Sequence, residues 1–102
     1  MFMIYNDGFP MDDNLQFIKC PKCDNEEFSL NAKHCKICGF DVFNYCLGYR
    51  IEDDNGYFLG IEYHKNAGNA RYCETCGEKT ILFDAKLLRP YTAFLSNIDF
   101  EI

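Results

Sequence analysis

The residues of this chain whose type and spacing could do chemistry are its seven cysteines. A Cys-x-x-Cys turn can direct two sulfurs at one metal ion while backbone N–H groups donate to them. A disulfide framework is the alternative, but an odd number of cysteines and their close pairing argue against it. The spacing therefore predicts metal binding. Six cysteines form such pairs: Cys20 with Cys23, Cys35 with Cys38, and Cys73 with Cys76.

The first two pairs predict a four-thiolate site made of Cys20, Cys23, Cys35 and Cys38. Eleven residues separate the pairs, which suits two turns that complete a tetrahedron with metal–sulfur distances of about 2.3 Å. The sequences CPKC and CKICG resemble the knuckles of zinc ribbons and rubredoxins over residues 18–46. Rubredoxin-type pairs, which bind iron, usually lie further apart along the chain. The expected metal is therefore zinc, with iron as the alternative.

The third pair belongs to a sequence repeat. NAKHCKICG at 31–39 returns as NARYCETCG at 69–77, a spacing of 38 residues. Moving the first pair, 20 and 23, by the same spacing leads to Phe58 and Ile61, whose side chains cannot bind a metal. The second knuckle must therefore find its other ligands elsewhere.

Three soft or borderline ligands remain: Cys46, His34 and His64. His34 corresponds to Tyr72 in the repeat, which predicts an aromatic ring packed beside the site and not a ligand. Cys46 and His64 lie at the two ends of a hairpin predicted around Asn55-Gly56, so strand pairing would place them side by side.

The second predicted site therefore consists of Cys46, His64, Cys73 and Cys76, with the hairpin in place of a Cys-x-x-Cys turn. Three alternatives stay open at this point. Cys46 could be a small buried apolar residue, and His64 could be an exposed residue at a strand end. The last cysteine pair could be a redox pair, although no βαβ pattern surrounds it.

The elements that must position these ligands are predicted to be short, and most of them are β-strands. FMIY (2–5) and LQFIK (15–19) predict strands, and two aromatic-rich runs over 45–63 predict the hairpin. Residues 79–88 fit a strand or a short helix equally well. The expected fold is small, mainly β or α+β with one short helix, zinc-ribbon-like and stabilised by metal at two knuckle sites. Its segments are 1–18, a strand or hairpin; 19–45, the first ribbon; 46–88, the hairpin and second knuckle; and 89–102, a tail.

Motifs of catalysis are missing from the sequence. It holds no HExxH, no phosphate-binding glycine loop and no His-x-Glu of the zinc deaminases. A catalytic zinc also needs an open coordination position, which a four-cysteine site does not provide. We therefore expect no enzyme. No apolar run reaches the 18 or so residues of a membrane span, and MFMIYNDGFP does not resemble a signal peptide, so the expected location is the cytoplasm.

The charge of the chain favours a protein partner over duplex DNA. The formal charge is −6 with neutral thiols. Seven thiolates add seven negative charges and two divalent ions return four, which gives −9 in the metal-loaded state. Binding to phosphate needs basic surface, so we expect a basic protein as partner and not duplex DNA. The acidic residues at the predicted hairpin tip, Asp53 and Asp54, are the candidate contacts.

The order IKCPKC, NAKHCKICG and NARYCETCG resembles small double zinc ribbons of Gram-positive bacteria and their phages. That resemblance implies two structural zinc ions per chain and a bacterial cytoplasm. It also implies inhibition of host defence as a role, including anti-CRISPR proteins that block Cas9, whose nucleic-acid channel is basic. The alternatives are a nucleic-acid-binding zinc ribbon, which could stack single strands on Tyr and Phe, and a redox or metal-storage protein.

Overall fold

The computed structural model describes residues 5–93, and within them the chain is built mainly from short β-strands in two small sheets. The strands are joined by tight turns, and a four-residue helix follows them. The elements are β1 (Asn44–Tyr45), β2 (Tyr49–Glu52), β3 (Phe58–Glu62), β4 (Lys65–Asn66) and α1 (Ile81–Asp84).

The hairpin predicted around Asn55-Gly56 is confirmed. Strand β2 pairs with β3 in antiparallel register, and β1 pairs with β4 further from the turn. At the tip, Gly56 N–H donates to Asp53 O at 3.0 Å, with φ of 85° at Gly56. Asn-Gly suits this turn because the glycine adopts a positive φ without a Cβ clash. We call residues 43–66, the β-hairpin that carries β1 to β4, the ribbon. It is distinct from the zinc ribbon predicted over 19–45.

The ribbon divides into two sheets because its register shifts by one residue. Tyr45 pairs with Lys65, whereas Tyr49 pairs with Glu62. Gly48 lies in the shift with φ of 118°, and a Cβ there would meet the Ile61 side chain at 2.6 Å.

The apolar core is small. Phe17, Leu82 and Leu88 are buried together, with four partly buried neighbours around them. Leu82 comes from α1. Residues 81–84 of the segment 79–88, for which the sequence left strand and helix open, are thus helical. Thr80 caps this helix by accepting from Phe83 N at 3.3 Å, and the buried Asn44 Oδ1 accepts from Leu82 N at 3.3 Å.

At the amino-terminal end, the predicted strand 2–5 lies outside the described residues except for Tyr5. The second predicted strand is reduced to single paired residues: Phe17 bridges Met11, and Gln16 bridges Phe43. Between them the chain turns tightly, since Leu15 N–H donates to Asp12 O at 3.0 Å. The first bridge closes the amino-terminal turn on itself, and the second joins this segment to the start of the ribbon.

Candidate metal centres

Both copies of the repeat fold into the same knuckle. Cys35 N–H donates to Phe40 O at 2.7 Å and Gly39 N–H to Cys35 O at 2.8 Å. In the second copy Cys73 N–H donates to Glu78 O at 2.7 Å and Gly77 N–H to Cys73 O at 2.9 Å. The two glycines have φ of 82° and 83°. The repeat in sequence is thus a repeat in structure.

The Cys20 turn is a third knuckle of the same kind. Its Cys20 N–H donates to Asn25 O at 2.8 Å, and Asp24 N–H donates to Cys20 O at 2.9 Å. Asp24 takes the position of the two glycines, with φ of 68°. Asp is among the few residues other than Gly that tolerate this left-handed conformation.

The first cluster brings together the four predicted thiols. The sulfurs of Cys20, Cys23, Cys35 and Cys38 all lie within 4.8 Å of one another. Cys20 Sγ is 3.5 Å from Cys38 Sγ, and Cys23 Sγ is 3.5 Å from Cys35 Sγ. A tetrahedral ion with metal–sulfur bonds of about 2.3 Å needs sulfurs about 3.8 Å apart. The four thiols therefore outline a site of the size of one ion.

The second cluster brings together Cys46, His64, Cys73 and Cys76, again with ligand atoms within 4.8 Å of one another. The His64 Nδ1 atom is 3.5 Å from Cys46 Sγ and 3.6 Å from Cys73 Sγ. Bonds of about 2.3 Å to sulfur and about 2.05 Å to nitrogen place these atoms about 3.6 Å apart in a tetrahedron. The ribbon thus presents the two ligands that the repeat does not supply.

Strand pairing places the two ribbon ligands side by side. Cys46 N–H donates to His64 O at 3.0 Å, and His64 N–H donates to Cys46 Sγ at 3.3 Å. Cys46 is also bridged to Thr80, directly after the second knuckle. The ribbon therefore meets the knuckle at Cys46, and this contact closes the second cluster.

Each cluster has donors that orient its ligands. Ile37 N–H lies 3.4 Å from Cys35 Sγ, and Thr75 N–H lies 3.4 Å from Cys73 Sγ, at equivalent positions of the repeat. The second cluster adds a carboxylate, since Glu62 Oε1 is 2.7 Å from His64 Nε2. A carboxylate at the outer nitrogen fixes the ring with Nδ1 toward the sulfurs, as is common for histidines that bind metals.

In the metal-free chain the thiol pKa values differ within each cluster: those of Cys20, Cys23 and Cys76 are raised, whereas those of Cys35 and Cys73 are lowered. The Cys38 and Ile37 N–H groups lower the pKa of Cys35 to about 6. At Cys73 burial opposes ionisation, but the N–H groups of Cys76 and Thr75 outweigh it and the pKa falls to about 6. Thiolate is the metal-binding form of cysteine, so the first cysteine of each repeated knuckle is ready to bind near neutral pH.

The pKa of His64 is raised in the metal-free chain, whereas those of Cys35 and Cys73 are lowered. The Glu62 carboxylate and the Cys46 sulfur raise the pKa of His64 to about 9. The ring therefore carries a proton at neutral pH until a cation takes its place at Nδ1. Binding at the second cluster releases that proton, in line with the general coupling of metal affinity to ligand deprotonation.

Histidine 34 lies in neither cluster. Its Nδ1 is 3.0 Å from Asp41 Oδ1, and 64% of the side chain is exposed. The ring thus pairs with a carboxylate and is largely exposed. Its counterpart Tyr72 does pack, with its ring centre 5.3 Å from that of Phe83.

The predicted partner residues at the ribbon tip are exposed, but one of them has a structural part. Asp53 Oδ1 accepts from Asn55 N at 2.8 Å and from Tyr57 N at 2.9 Å, which holds the turn. No side-chain contact is seen for Asp54 within the described residues, so it is the better position to vary when a partner surface is tested.

One important residue was not predicted. Arg71, in the basic position of the second repeat copy, is 8% exposed and its guanidinium is 2.5 Å from Asp7 Oδ1. It also donates to Asn69 O at 2.7 Å and to Arg89 O at 2.9 Å. Burial opposes ionisation of Asp7, but Arg71 and the Arg89 N–H together outweigh it and lower the Asp7 pKa. Lys33, at the same place in the first copy, is exposed.

The two clusters account for much of the buried interior. All seven cysteines are free thiols in the described part of the chain, so the disulfide alternative finds no support. Each cluster offers four ligand atoms, which is the full set for a tetrahedral ion. The buried hydrophobic residues include two cysteines from each cluster. These are Cys20 and Cys35 in the first cluster, and Cys46 and Cys73 in the second.

Over residues 5–93, no helix is long and apolar enough to cross a membrane. Comparison of the chain with protein-family models, with curated proteins and with solved structures found no match.

Proposed function

We propose that this protein is a binding module whose fold is held by two structural zinc ions in a zinc-ribbon-like arrangement. The observation that carries the proposal is the pair of closed four-ligand clusters in a chain with a small apolar core. Cysteine with one histidine is a ligand set typical of structural zinc, and the histidine of the second cluster argues against an iron site of the four-cysteine type. The zinc-ribbon resemblance of the knuckle sequences supports the same assignment.

The module acts through protein–protein contact, and its partner is a basic protein. Two observations support this. The chain is acidic, with a formal charge of −6 before metal binding. The ribbon also exposes large apolar side chains, among them Tyr57 at 70%, Leu59 at 63% and Tyr63 at 56%. Exposed apolar groups with acidic neighbours suit a protein surface that combines apolar and basic residues.

The sharpest form of the proposal is inhibition of a basic effector that handles nucleic acid, such as Cas9 in a bacterial host cell. Its support is the acidity of the chain and the sequence resemblance described above. The test is a cleavage assay with purified Cas9, guide and target DNA, with the zinc-loaded protein added in excess. Loss of cleavage, together with a complex seen by size-exclusion chromatography, is expected. Full cleavage and no complex would reject this partner.

A second candidate function is binding of single-stranded nucleic acid, and the ribbon gives it one specific observation. The Arg50 guanidinium lies 4.5 Å from the Phe58 ring centre, and Lys65 Nζ lies 3.9 Å from that of Phe43. Phe58 is exposed and Phe43 is half-buried, and cations beside such rings can hold phosphate while bases stack. A gel shift with single-stranded DNA at two salt concentrations decides. Binding that falls steeply with salt favours this function, and no binding leaves the protein partner.

A further inference from the structure

A groove lies between the ribbon and the start of α1, and Cys46 of the second cluster forms part of its lining. Its volume is about 560 Å³. Two tyrosine rings and two aliphatic side chains form most of its wall, and one carboxylate lies at its edge. The lining residues are Asp41, Tyr45, Cys46, Leu47, Tyr63 and Ile81.

The chemistry of the wall is aromatic with a single negative charge. The Tyr45 and Tyr63 rings lie 6.4 Å apart and are inclined at 70°. Among the described residues that line the groove, Asp41 is the only charged one. Its Oδ1 is paired with His34 Nδ1 at 3.0 Å, which fixes the direction of the carboxylate. Rings and a carboxylate in one groove are the features that recognise an organic cation.

We propose that this groove binds the side chain of an arginine from the partner protein. A guanidinium can stack on a tyrosine face and still donate to the carboxylate, and the aliphatic stem would lie on Leu47 and Ile81. The proposal rests on the proposed function, since it gives the basic partner its anchor. A nucleic-acid phosphate is the wrong ligand here, because Asp41 would repel it.

The test uses the full chain loaded with zinc and a capped tetra-arginine peptide as probe, followed by amide chemical shifts in NMR. We expect the largest shifts at Leu47, Tyr63 and Ile81. Asp41→Asn and Tyr63→Leu should each weaken binding about fivefold. Asp84→Asn is the matched control, because Asp84 is an exposed carboxylate that does not line the groove, and it should leave the affinity unchanged. The zinc content of each variant shows that its fold is intact.

Four outcomes would overturn the groove assignment. These are no binding of the peptide at millimolar concentration, shifts confined to another surface, equal losses for Asp41→Asn and Asp84→Asn, and equal affinity for a capped tetra-lysine peptide. The proposed function fails separately. If a basic partner binds the zinc-loaded chain and is unaffected by Asp41→Asn, the groove assignment is wrong and the proposed function stands. If the chain binds no basic protein, the proposed function itself is wrong.

Discussion

The two candidate metal centres share one knuckle and differ in what completes them. In the first, the repeated knuckle meets another Cys-x-x-Cys turn, and all four ligands lie within residues 20–38. In the second, the same knuckle meets a strand pair, and Cys46 and His64 are 18 residues apart in the chain. Antiparallel pairing thus brings two ligand atoms together as well as a tight turn does. The position of a ligand depends on backbone register as much as on a local motif.

The two centres also hold different parts of the chain in place. The first centre orders a local segment whose knuckles are made by short-range hydrogen bonds. The second joins the ribbon to the knuckle and, through the Cys46–Thr80 bridge, to the start of α1. Long-range contacts therefore depend more on the second centre than on the first.

Removing both ions should have the largest effect. A structural zinc site contributes on the order of 10 kcal/mol of folding free energy in small zinc-dependent peptides near neutral pH. Within the described residues the buried apolar cluster is small, with Phe17, Leu82 and Leu88, so the fold should depend strongly on the ions. Chelation should therefore collapse the dispersion of the amide NMR spectrum, and zinc should restore it. A metal-free chain that keeps its spectrum would show that the ions are not structural.

Removing one centre at a time should separate their roles. Cys35→Ser and Cys73→Ser occupy equivalent positions of the repeat, so each should lose one ion by the same chemistry. Cys35→Ser should disorder residues 20–42 and leave the ribbon paired. Cys73→Ser should disorder the ribbon and the helix as well, because the second centre joins them. Hydrogen exchange resolved by residue checks this, and equal patterns of protection in the two variants would contradict it.

The basic position of the repeat offers a matched pair of substitutions. Arg71→Ala removes a buried guanidinium that holds Asp7 and two carbonyl groups, and it should lower the free energy of unfolding by about 3 kcal/mol. Lys33→Ala removes an exposed side chain and should stay within about 0.5 kcal/mol of the parent. Denaturant unfolding of the zinc-loaded proteins measures both. Similar losses would mean that the two copies of the repeat are equivalent here.

These residues also show where reasoning from the sequence succeeds and where it fails. The hairpin could be predicted because Asn55-Gly56 is a local turn signal, and the repeat directed attention to Cys46 and His64. Arg71 could not be predicted, because its partner Asp7 is 64 residues away and nothing in the sequence joins them. Residues 81–84 could not be assigned either. What accompanies the helix there is the Thr80 cap and the burial of Leu82, and the sequence pattern alone shows neither.

The smallest expected effects concern the turns of the knuckles. Gly39 and Gly77 have nearly the same positive φ, and no atom lies within 4 Å of a Cβ added at either. Alanine at each position should cost about 1 kcal/mol, from backbone conformation alone. Asp24→Gly should gain a few tenths of a kcal/mol, because glycine adopts the left-handed conformation of that knuckle more easily. Thermal unfolding measures the three variants, and clearly unequal costs at the two glycines would contradict the equivalence of the turns.

The central claim is that the ribbon completes the second centre through His64, and the zinc content of two histidine variants tests it most directly. Elemental analysis of the parent should give two zinc per chain. His64→Ala should bring the content to one after dialysis, because the second cluster keeps three ligands. His34→Ala should keep two, because His34 lies in neither cluster. One zinc in the parent, or a loss in His34→Ala with none in His64→Ala, would contradict the account.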